Sequence, residues 1–402
     1  MELPSSLIDR KGYIERIKPF IRKDIAKVLT GQRRVGKSFL LFQLIRYIRQ
    51  DEPDANIIYV NMEDFAFNSI RTAEDLHAYI SSCLRERVYN YIFIDEIQEV
   101  PQFEKAVRSL LLSPMNDIYM TGSNARMLSG ELATYLSGRY IAFDVYSLSY
   151  SEFLEFHRLD DCDDSLQKYI RYGGLPYLVN LRLEDNIVDE YLKSVYSTIV
   201  FRDVVSRYNL RSSDFLERLV RFLADNTGSL FSAKSISDYL KSQHLNISVN
   251  QIQNYTEYLC NAFLIHRIER YDLVGKRLFE IGWKFYFENL GIRNSIIGYR
   301  IMDRAKLLEN LVFNHLLYRN YKVYVGYVGT REIDFICEKD HETIYIQVSL
   351  RIDNEETAWR EAGNLLKIKD NYPKIIVTGD PYTGASYEGI RIVPIRNFLM
   401  DF

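Results

Sequence analysis

One stretch, Gly31-Gln32-Arg33-Arg34-Val35-Gly36-Lys37-Ser38, constrains the fold more than any other part of the chain. The spacing of its two glycines, its lysine and its serine is typical of a loop that binds phosphate groups. Glycine at the two fixed positions lets the backbone approach the phosphates closely, and the loop amides then form an anion-binding nest. The flanking sequence disfavours the alternative, a glycine-rich turn before a buried helix.

The segments on both sides of this loop follow the order that a nucleotide-binding P-loop requires. Ile25–Thr30 is predicted as a strand, and Phe39–Ile45 has helix length without a breaker, so its N-terminal dipole favours phosphate. We expect Lys37 to contact the β- and γ-phosphates of ATP and Ser38 to bind Mg²⁺. The predicted nucleotide-binding residues are Gly31, Gln32, Arg33, Arg34, Val35, Gly36, Lys37, Ser38 and Phe39.

A second stretch, Tyr91–Glu96, is an apolar run that ends in two acids. Such a run predicts a strand buried on both faces of a parallel sheet, and ligands bind beyond the carboxyl ends of such strands. We expect Asp95 to orient the Mg²⁺ shell and Glu96 to polarise the attacking water as a general base. Two acids that cap a following helix are the weaker alternative.

Two further segments carry candidate catalytic residues. Asp117–Asn124 is predicted as a strand that ends in small polar residues, of which Ser123 and Asn124 would sense the γ-phosphate or the water beside Asp95. Arg139 precedes the predicted strand Tyr140–Val145. From a sheet edge it could reach the nucleotide of a neighbouring copy as an arginine finger, which would require a homo-oligomer. An exposed surface arginine is an equally weighted alternative.

Length and composition bound the class of protein. The 402 residues predict two to four domains, and 47% hydrophobic with 26% charged residues is typical of a soluble globular chain. The net charge of −3 excludes a globally basic nucleic-acid coat. Widely spaced cysteines, no signal-peptide pattern and no membrane-length apolar run lead us to expect a cytoplasmic protein without membrane contact.

The alternation of strands and helices predicts a parallel α/β domain over residues 1–150, followed by a helical connecting segment at 151–210. Residues 211–298 are predicted as a winged helix-turn-helix, in which three helices precede two strands. The third helix offers side chains that could read adenine edges in double-stranded DNA, and the wing offers phosphate contacts: Asn250, Gln253 and Asn254, and then Arg267, Arg270, Lys276 and Arg277. A winged helix that docks a protein has roughly even weight, because the third helix carries no basic residue.

Together these motifs resemble prokaryotic AAA-like P-loop ATPases that carry a C-terminal domain of the DUF4143 type. The resemblance implies ATP binding, hydrolysis, a winged helix and a nuclease-like C-terminal fold over residues 299–402. The fold class is therefore α/β, an AAA+-like P-loop NTPase sheet followed by a helical segment, a winged helix and a restriction-endonuclease-like domain. The residues that carry the resemblance are Gly31 to Ser38, Ile94 to Gln98, Thr121 to Ser123, Leu136 to Arg139, Tyr172 to Pro176 and Glu332 to Phe335.

The C-terminal part also resembles the PD-(D/E)xK nuclease fold, in which acids and a lysine hold Mg²⁺ and activate water. Glu309 and Asp334 match its first two acids. Gln347 stands in place of the next acid and Ser349 in place of the lysine, so less of the metal's charge is compensated. Arg351 shares their strand face but stays protonated. We therefore expect a degenerate site that docks a protein partner.

The function predicted from these features is an Mg²⁺-dependent ATPase that couples its nucleotide state to a DNA or protein partner. A nucleotide-controlled switch with negligible turnover is the main alternative. A metal-dependent nuclease with an attached ATPase is a weaker one, because the substitutions at Gln347 and Ser349 count against it.

Overall fold

The computed structural model describes residues 3–4, 7–128, 136, 138–210, 213–242, 246–273, 275, 277–329, 331–352, 355–380 and 386–402. The chain forms two compact units. The first comprises Met1–Tyr146 with Asn261–Phe263, and the second comprises Ser147–Cys260 with Leu264–Phe402. Among the described residues, no helix combines the length and the apolarity that crossing a bilayer requires.

The first unit alternates strands and helices, as the sequence predicts. Its strands are β1 (Ala26–Thr30), β2 (Asn56–Asn61), β3 (Asn90–Asp95), β4 (Asn116–Gly122) and β5 (Tyr140–Asp144). Its α-helices are α1 (Lys11–Ile17), α2 (Lys37–Asp51), α3 (Ala73–Cys83) and α4 (Phe103–Leu110). Short 3₁₀ segments lie at Lys18–Phe20, Phe65–Phe67, Ile97–Glu99 and Ala125–Leu128.

The five strands form one parallel sheet in the order β2-β3-β4-β1-β5. Strands β1, β3 and β4 are buried along their whole length, because helices cover both faces of a parallel sheet. β4 lies between β1 and β3, so the carboxyl ends of these three strands meet at one edge. The P-loop, the paired acids and the polar residues after β4 follow these ends and are therefore brought together.

The amino ends of three neighbouring strands are joined by a row of asparagines. Asn56, Asn90 and Asn116 begin β2, β3 and β4 and stand opposite one another in the sheet. The Asn56 amide donates to the Asn90 side-chain oxygen over 2.7 Å, and the Asn90 amide donates to that of Asn116 over 3.3 Å. All three side chains are buried, so this asparagine row fixes the register of the strands at the edge opposite the P-loop.

The second unit combines a helical region with a large sheet. The α-helices after residue 146 are α5 (Tyr150–His157), α6 (Asp163–Tyr172), α7 (Asp185–Thr198), α8 (Ser213–Asp225), α9 (Ala233–Ser242), α10 (Val249–Asn261), α11 (Leu290–Ile297), α12 (Arg304–Tyr318), α13 (Glu355–Leu365) and α14 (Ile395–Asp401). A π-helical turn continues α7 over Ile199–Ser206, and 3₁₀ segments lie at Pro176–Asn180 and Ile301–Asp303.

The strands of this unit are β6 (Leu230–Phe231), β7 (Ile265–Asp272), β8 (Arg277–Phe287), β9 (Lys322–Val328), β10 (Arg331–Lys339), β11 (Glu342–Ser349), β12 (Lys374–Thr378), β13 (Ser386–Tyr387) and β14 (Ile390–Pro394). They form one nine-stranded sheet in the order β13-β14-β12-β11-β10-β9-β7-β8-β6. β8 pairs antiparallel with both β6 and β7, and β7 pairs parallel with β9.

The pairing of β7 with β9 changes the expected domain organisation. Arg270 to Asp272 stand opposite Val325 to Tyr327, so the two strands predicted as a separate wing extend the C-terminal sheet. The backbone groups on the outer edge of β7 form hydrogen bonds with β9. This pairing removes an open strand edge, which would be unfavourable. The three segments that the sequence predicts after residue 150 therefore lie in one compact unit, and the predicted division at residue 298 falls inside it.

Candidate functional site

The P-loop adopts the conformation that its glycines permit. A Cβ atom on Gly31 would lie 2.0 Å from the carbonyl oxygen of Val145, so no larger residue fits there. Gly36 has φ of 94° and immediately precedes α2, a left-handed conformation that favours glycine. Val35 is buried, and Arg34 is exposed with φ of 71°. The two glycines thus shape a tight turn at the N-terminus of a helix.

Lys37 lies at the centre of this loop. Its buried ammonium group donates hydrogen bonds to the carbonyl oxygens of Gly31 and Gln32, each over 3.0 Å. The same nitrogen lies 3.9 Å from Oε1 of Glu96. The lysine is therefore held by acceptors that phosphate oxygens could replace.

Two residues of the predicted binding set direct their side chains elsewhere. The side-chain amide of Gln32 donates to the carbonyl oxygen of Phe263 over 2.9 Å. This NH₂ group is therefore directed towards Phe263 and not into the loop. Phe39 is 48% exposed and packs edge-to-face against Phe42. Neither contact involves a nucleotide site. The predicted roles of Gln32 and Phe39 in binding ATP therefore depend on their backbone positions alone.

Asp95 ends β3 and is almost completely buried. Its carboxylate accepts hydrogen bonds from the hydroxyl groups of Thr121 over 2.5 Å and Tyr59 over 3.1 Å, and also from that of Ser38. Burial raises the pKa of Asp95 above its ordinary value, and these hydrogen bonds offset only part of that rise. The Thr121 oxygen also accepts the backbone amide of Glu96 over 2.9 Å, which ties β4 to both acids.

Ser38 and Asp95 form a suitable pair of Mg²⁺ ligands. One is a hydroxyl and the other a carboxylate, both hard oxygen donors, and their mutual hydrogen bond places them together. Within the described ranges, no group of three or more histidine, cysteine, aspartate or glutamate residues could hold a metal ion. Mg²⁺ usually takes one or two protein carboxylates and completes its shell with phosphate and water.

Glu96 occupies an oriented and charged environment. Its Oε2 accepts hydrogen bonds from Gln98 over 2.5 Å and from Ser123 over 3.0 Å, and its backbone is left-handed with φ of 53°. Burial raises the pKa of Glu96, but the charges of Lys37 and Arg33 lower it. The hydrogen bonds from Gln98 and Ser123 lower it further, so this pKa lies below its ordinary value. Glu96 is therefore ionised at neutral pH, as a general base must be.

The two polar residues predicted after β4, Ser123 and Asn124, are both buried. Ser123 contacts Glu96 directly, whereas the carbonyl oxygen of Asn124 accepts the amide of Met127 over 3.2 Å. Sequence reasoning did not assign roles to Tyr59 and Gln98. Gln98 follows the acids by two positions, but Tyr59 is hidden within an apolar strand and only the sheet reveals its contact.

Arg139 lies at the other edge of the sheet from the P-loop. Its carbonyl oxygen accepts the amide of Ala26, the first residue of β1, and its side chain is exposed. The P-loop follows Thr30, roughly 13 Å farther along the strand at about 3.3 Å per residue. The structure therefore does not bring Arg139 to the P-loop of its own chain, and a role in a neighbouring copy stays a prediction.

The nuclease-like cluster of the second unit differs from the predicted one. Lys284 on β8 donates to Oε1 of Glu309 over 2.8 Å and lies 2.6 Å from Oε1 of Glu332. Tyr286 donates to the same Glu309 oxygen over 2.5 Å. Burial lowers the pKa of Lys284, but the charges of Glu309, Asp334 and Glu332 outweigh it and raise this pKa. A lysine distant in sequence therefore provides the positive charge that pairs with these two acids.

The remaining residues of the predicted nuclease site contact backbone groups or an acid outside the predicted set. Gln347 accepts the backbone amide of Asp334 over 3.4 Å, and Ser349 donates to the carbonyl oxygen of Arg351. Arg351 is paired with Asp380, so its charge is directed away from the acids. Burial and the Glu309 charge raise the pKa of Asp334 well above its ordinary value, which favours the neutral form.

The residues predicted to contact DNA are only partly presented to solvent. Asn250, Gln253 and Asn254 lie on the exposed face of α10. Arg267 is exposed and lies over the ring of Trp283 at 4.9 Å, while the Arg270 guanidinium lies over Tyr327 at 3.8 Å. Lys276 and the side chain of Arg277 lie outside the described part of the chain. The phosphate contacts of Arg267 and Arg270 stay predictions.

Comparison with known proteins adds two matches to domain families. Residues 23–154 match the family described as AAA domain. Residues 163–302 match the family described as a domain of unknown function, DUF8612. The expected DUF4143 assignment is therefore not confirmed, and the second match covers the helical region together with β6, β7 and β8.

Two relatives align with nearly the whole chain. An uncharacterized protein of Haemophilus influenzae is 37% identical over 407 residues, which span 99% of this chain and 100% of the relative. The uncharacterized protein MJ1544 of Methanocaldococcus jannaschii is 30% identical, spanning 94% of this chain and 91% of the relative. Among solved structures, the Walker-type ATPase Paby2304 of Pyrococcus abyssi has a TM-score of 0.49 and 17% identity, covering 72% of this chain and 95% of that one.

Proposed function

We propose that this chain, which belongs to the same family as the uncharacterized Haemophilus influenzae relative and matches an AAA domain over residues 23–154, hydrolyses ATP in the presence of Mg²⁺. One observation carries this proposal. Lys37, with Glu96 at 3.9 Å, and the hydrogen-bonded pair of Ser38 and Asp95 meet at the carboxyl edge of a single parallel sheet. The side chains suited to binding phosphate, to holding the metal ion and to activating water therefore lie next to one another.

Each of these residues has a distinct task. On nucleotide binding, Lys37 exchanges the carbonyl oxygens of Gly31 and Gln32 for phosphate oxygens, and the loop amides complete the anion site. Ser38 and Asp95 would hold Mg²⁺, which would neutralise phosphate charge. Ionised Glu96 accepts a proton from the attacking water.

The opposite pKa shifts of the two neighbouring acids support this division of labour. Glu96 is oriented by Ser123 and Gln98 and keeps its charge, as a base requires. Asp95 is buried with a raised pKa, so its carboxylate gains most from a nearby cation. One acid is thus suited to the proton and the other to the metal ion.

Phosphate release in steady state tests the proposal. The parent protein should release phosphate from ATP only with Mg²⁺, and the Glu96→Gln variant should bind nucleotide normally while turnover falls by roughly 10²–10⁴-fold. Lys105→Ala, an exposed lysine on α4, is the matched surface control. Tight, Mg²⁺-dependent binding without measurable release would favour a nucleotide-controlled switch instead.

We also propose that residues 213–287 form a winged helix that engages double-stranded DNA. The order of α8, β6, α9, α10, β7 and β8, with β8 between β6 and β7, supports this fold. The exposed amides of Asn250, Gln253 and Asn254 support base contacts. The continuation of β7 into β9 means that this module would share its sheet with the C-terminal region.

Titration with duplex DNA at increasing salt tests this partner. Binding should weaken steeply with salt, and Arg267→Ala should reduce it, while Lys193→Ala on α7 removes one exposed positive charge as the control. Unchanged affinity of Arg267→Ala and of Asn254→Ala would assign the module to protein docking.

We propose a protein-docking role for the cluster around Lys284 as well, because Lys284 already pairs with Glu309 and Glu332. The four unpaired cysteines support a cytoplasmic location.

A further inference from the structure

The two arginines of the P-loop have different environments. Arg33 is 8% exposed, whereas Arg34, its immediate neighbour, is exposed. The Arg33 guanidinium donates to Oε1 of Glu63 over 3.1 Å, on the segment that follows β2. Burial of an arginine requires a compensating acid. The ion pair with Glu63 therefore fixes the orientation of the Arg33 side chain, whereas the Arg34 side chain is exposed to solvent.

The contact of Arg33 with Glu63 directs its side chain over the carboxyl edge of the sheet. Arg33 lies in the turn between Gly31 and Gly36, whose amides surround the phosphates. Its partner Glu63 lies two residues after Asn61, which stands opposite Asp95 in the sheet. β3 and β4 lie between β2 and β1, so the Arg33 side chain extends from the loop after β1 across the carboxyl edge that carries Asp95 and Glu96.

The predicted arginine finger does not lie in this region. Arg139 is at the opposite edge of the sheet and would need a second copy of the chain to act. Among the loop residues, Arg33 is a buried guanidinium with an acid that fixes it. A planar guanidinium with five donors matches the oxygens of a transferring phosphoryl group better than an ammonium does.

We propose that Arg33 is a catalytic residue that contacts the γ-phosphate within its own chain and acts as an intrinsic arginine finger, with Glu63 as its positioning residue. This rests on the proposed ATP hydrolysis. In that reaction the water oxygen forms a bond to the γ-phosphorus, the bond to the bridging oxygen of ADP breaks, and Glu96 takes the water proton. Arg33 exchanges no proton and stabilises the charge that grows on the phosphoryl oxygens.

Three variants test this role. Arg33→Ala should lower kcat by about 10³-fold or more without weakening ADP binding, because the contact is made in the transition state. Arg33→Lys, which keeps the charge but not the fork, should recover only part of the rate. Arg108→Ala, an exposed arginine on α4, is the charge-matched control and should behave as the parent.

The test of Glu63 must separate positioning of Arg33 from a purely structural role. Glu63→Gln should lower kcat while leaving the ADP dissociation constant and the thermal unfolding midpoint unchanged. In the Arg33→Ala background it should have no further effect on kcat, because the two residues act as one unit. Additive losses would overturn the positioning assignment.

A transition-state analogue separates this inference from the proposed hydrolysis. ADP with aluminium fluoride should be trapped by the parent and by Arg108→Ala but not by Arg33→Ala, even if parental turnover proves negligible. Mixing Arg33→Ala with Lys37→Ala should restore no turnover, because both groups serve the same chain. Restored turnover, parental kcat in Arg33→Ala, or a loss confined to nucleotide affinity would each overturn the inference.

Discussion

Thr121 donates a hydrogen bond over 2.5 Å to the carboxylate of Asp95 from the neighbouring strand of the parallel sheet. The same hydroxyl oxygen accepts the backbone amide of Glu96, so one side chain serves both acids. The buried carboxylate of Asp95 thereby gains a partner before any metal ion is bound.

Replacing Thr121 with valine should therefore affect folding and metal binding together. The valine side chain keeps the shape but removes the hydroxyl group, which leaves a buried carboxylate and a buried amide without this partner. We expect a loss of about 1–3 kcal/mol in unfolding free energy, measured by urea denaturation, and a higher Mg²⁺ requirement. Thr121→Ser, which retains the hydroxyl group, should stay close to the parent.

Replacing Lys37 with alanine should abolish tight nucleotide binding. The loop would lose the ammonium group that Gly31 and Gln32 hold at its centre. Titration with a fluorescent ADP analogue measures the effect, and the far-ultraviolet circular dichroism spectrum verifies folding. A folded variant with parental affinity would contradict the P-loop assignment.

The depressed pKa of Glu96 predicts how the rate and stability depend on pH. Its carboxylate stays ionised above the ordinary value of 4.5 and is protonated only as pH falls through the lower folded-state pKa. The stabilising contribution of this ionised group is therefore present above about pH 4.5 and is lost below it. Unfolding free energies of the parent and Glu96→Gln should converge there, while kcat/KM near neutral pH should show no acidic limb from Glu96.

Replacing Lys284 with methionine tests the ion-pair cluster of the second unit. The change keeps the length of the side chain but leaves Glu309 and Glu332 without the ammonium group that they share. We expect a destabilisation of about 3–5 kcal/mol, because a buried charge loses its partner. Adding Glu309→Gln should recover part of the loss, and urea denaturation of the single and double variants measures it.

The same cluster predicts no cleavage of duplex or branched DNA in Mg²⁺ or Mn²⁺. Lys284 already lies between two of the acids, and the raised pKa of Asp334 favours its neutral form. An assay on labelled substrates at high protein concentration measures this directly. Cleavage that disappears in Asp334→Ala would show that the site retains activity.

The sequence predicts an element correctly where its pattern lies in neighbouring residues. The P-loop, the strand ending at Asp95 and the polar end of β4 each carry a local pattern, and the sheet brings them together as expected. The contacts of Tyr59 with Asp95 and of Arg33 with Glu63 depend on which strands are adjacent. Local patterns do not specify such pairings.

The second unit shows the same limit on a larger scale. Helix and strand patterns predicted the elements of residues 211–298, but not that β7 would pair with β9 across 49 residues of intervening chain. The position of Lys284 on β8 next to Glu332 on β10 follows from that shared sheet. A motif search along the chain expects the lysine near Gln347 and therefore misses one that arrives from another strand.

The asparagine row has a consequence for how this protein can tolerate length changes. Asn90 and Asp95 are five positions apart, and so are Asn116 and Thr121. The two strands therefore have the same length between the asparagine row and the edge that carries Asp95 and Thr121. Deleting one residue inside either strand would keep its asparagine in place but bring Glu96 to the position of Asp95, or Gly122 to that of Thr121. Insertions and deletions among relatives should consequently accumulate in the connecting loops and spare these two intervals.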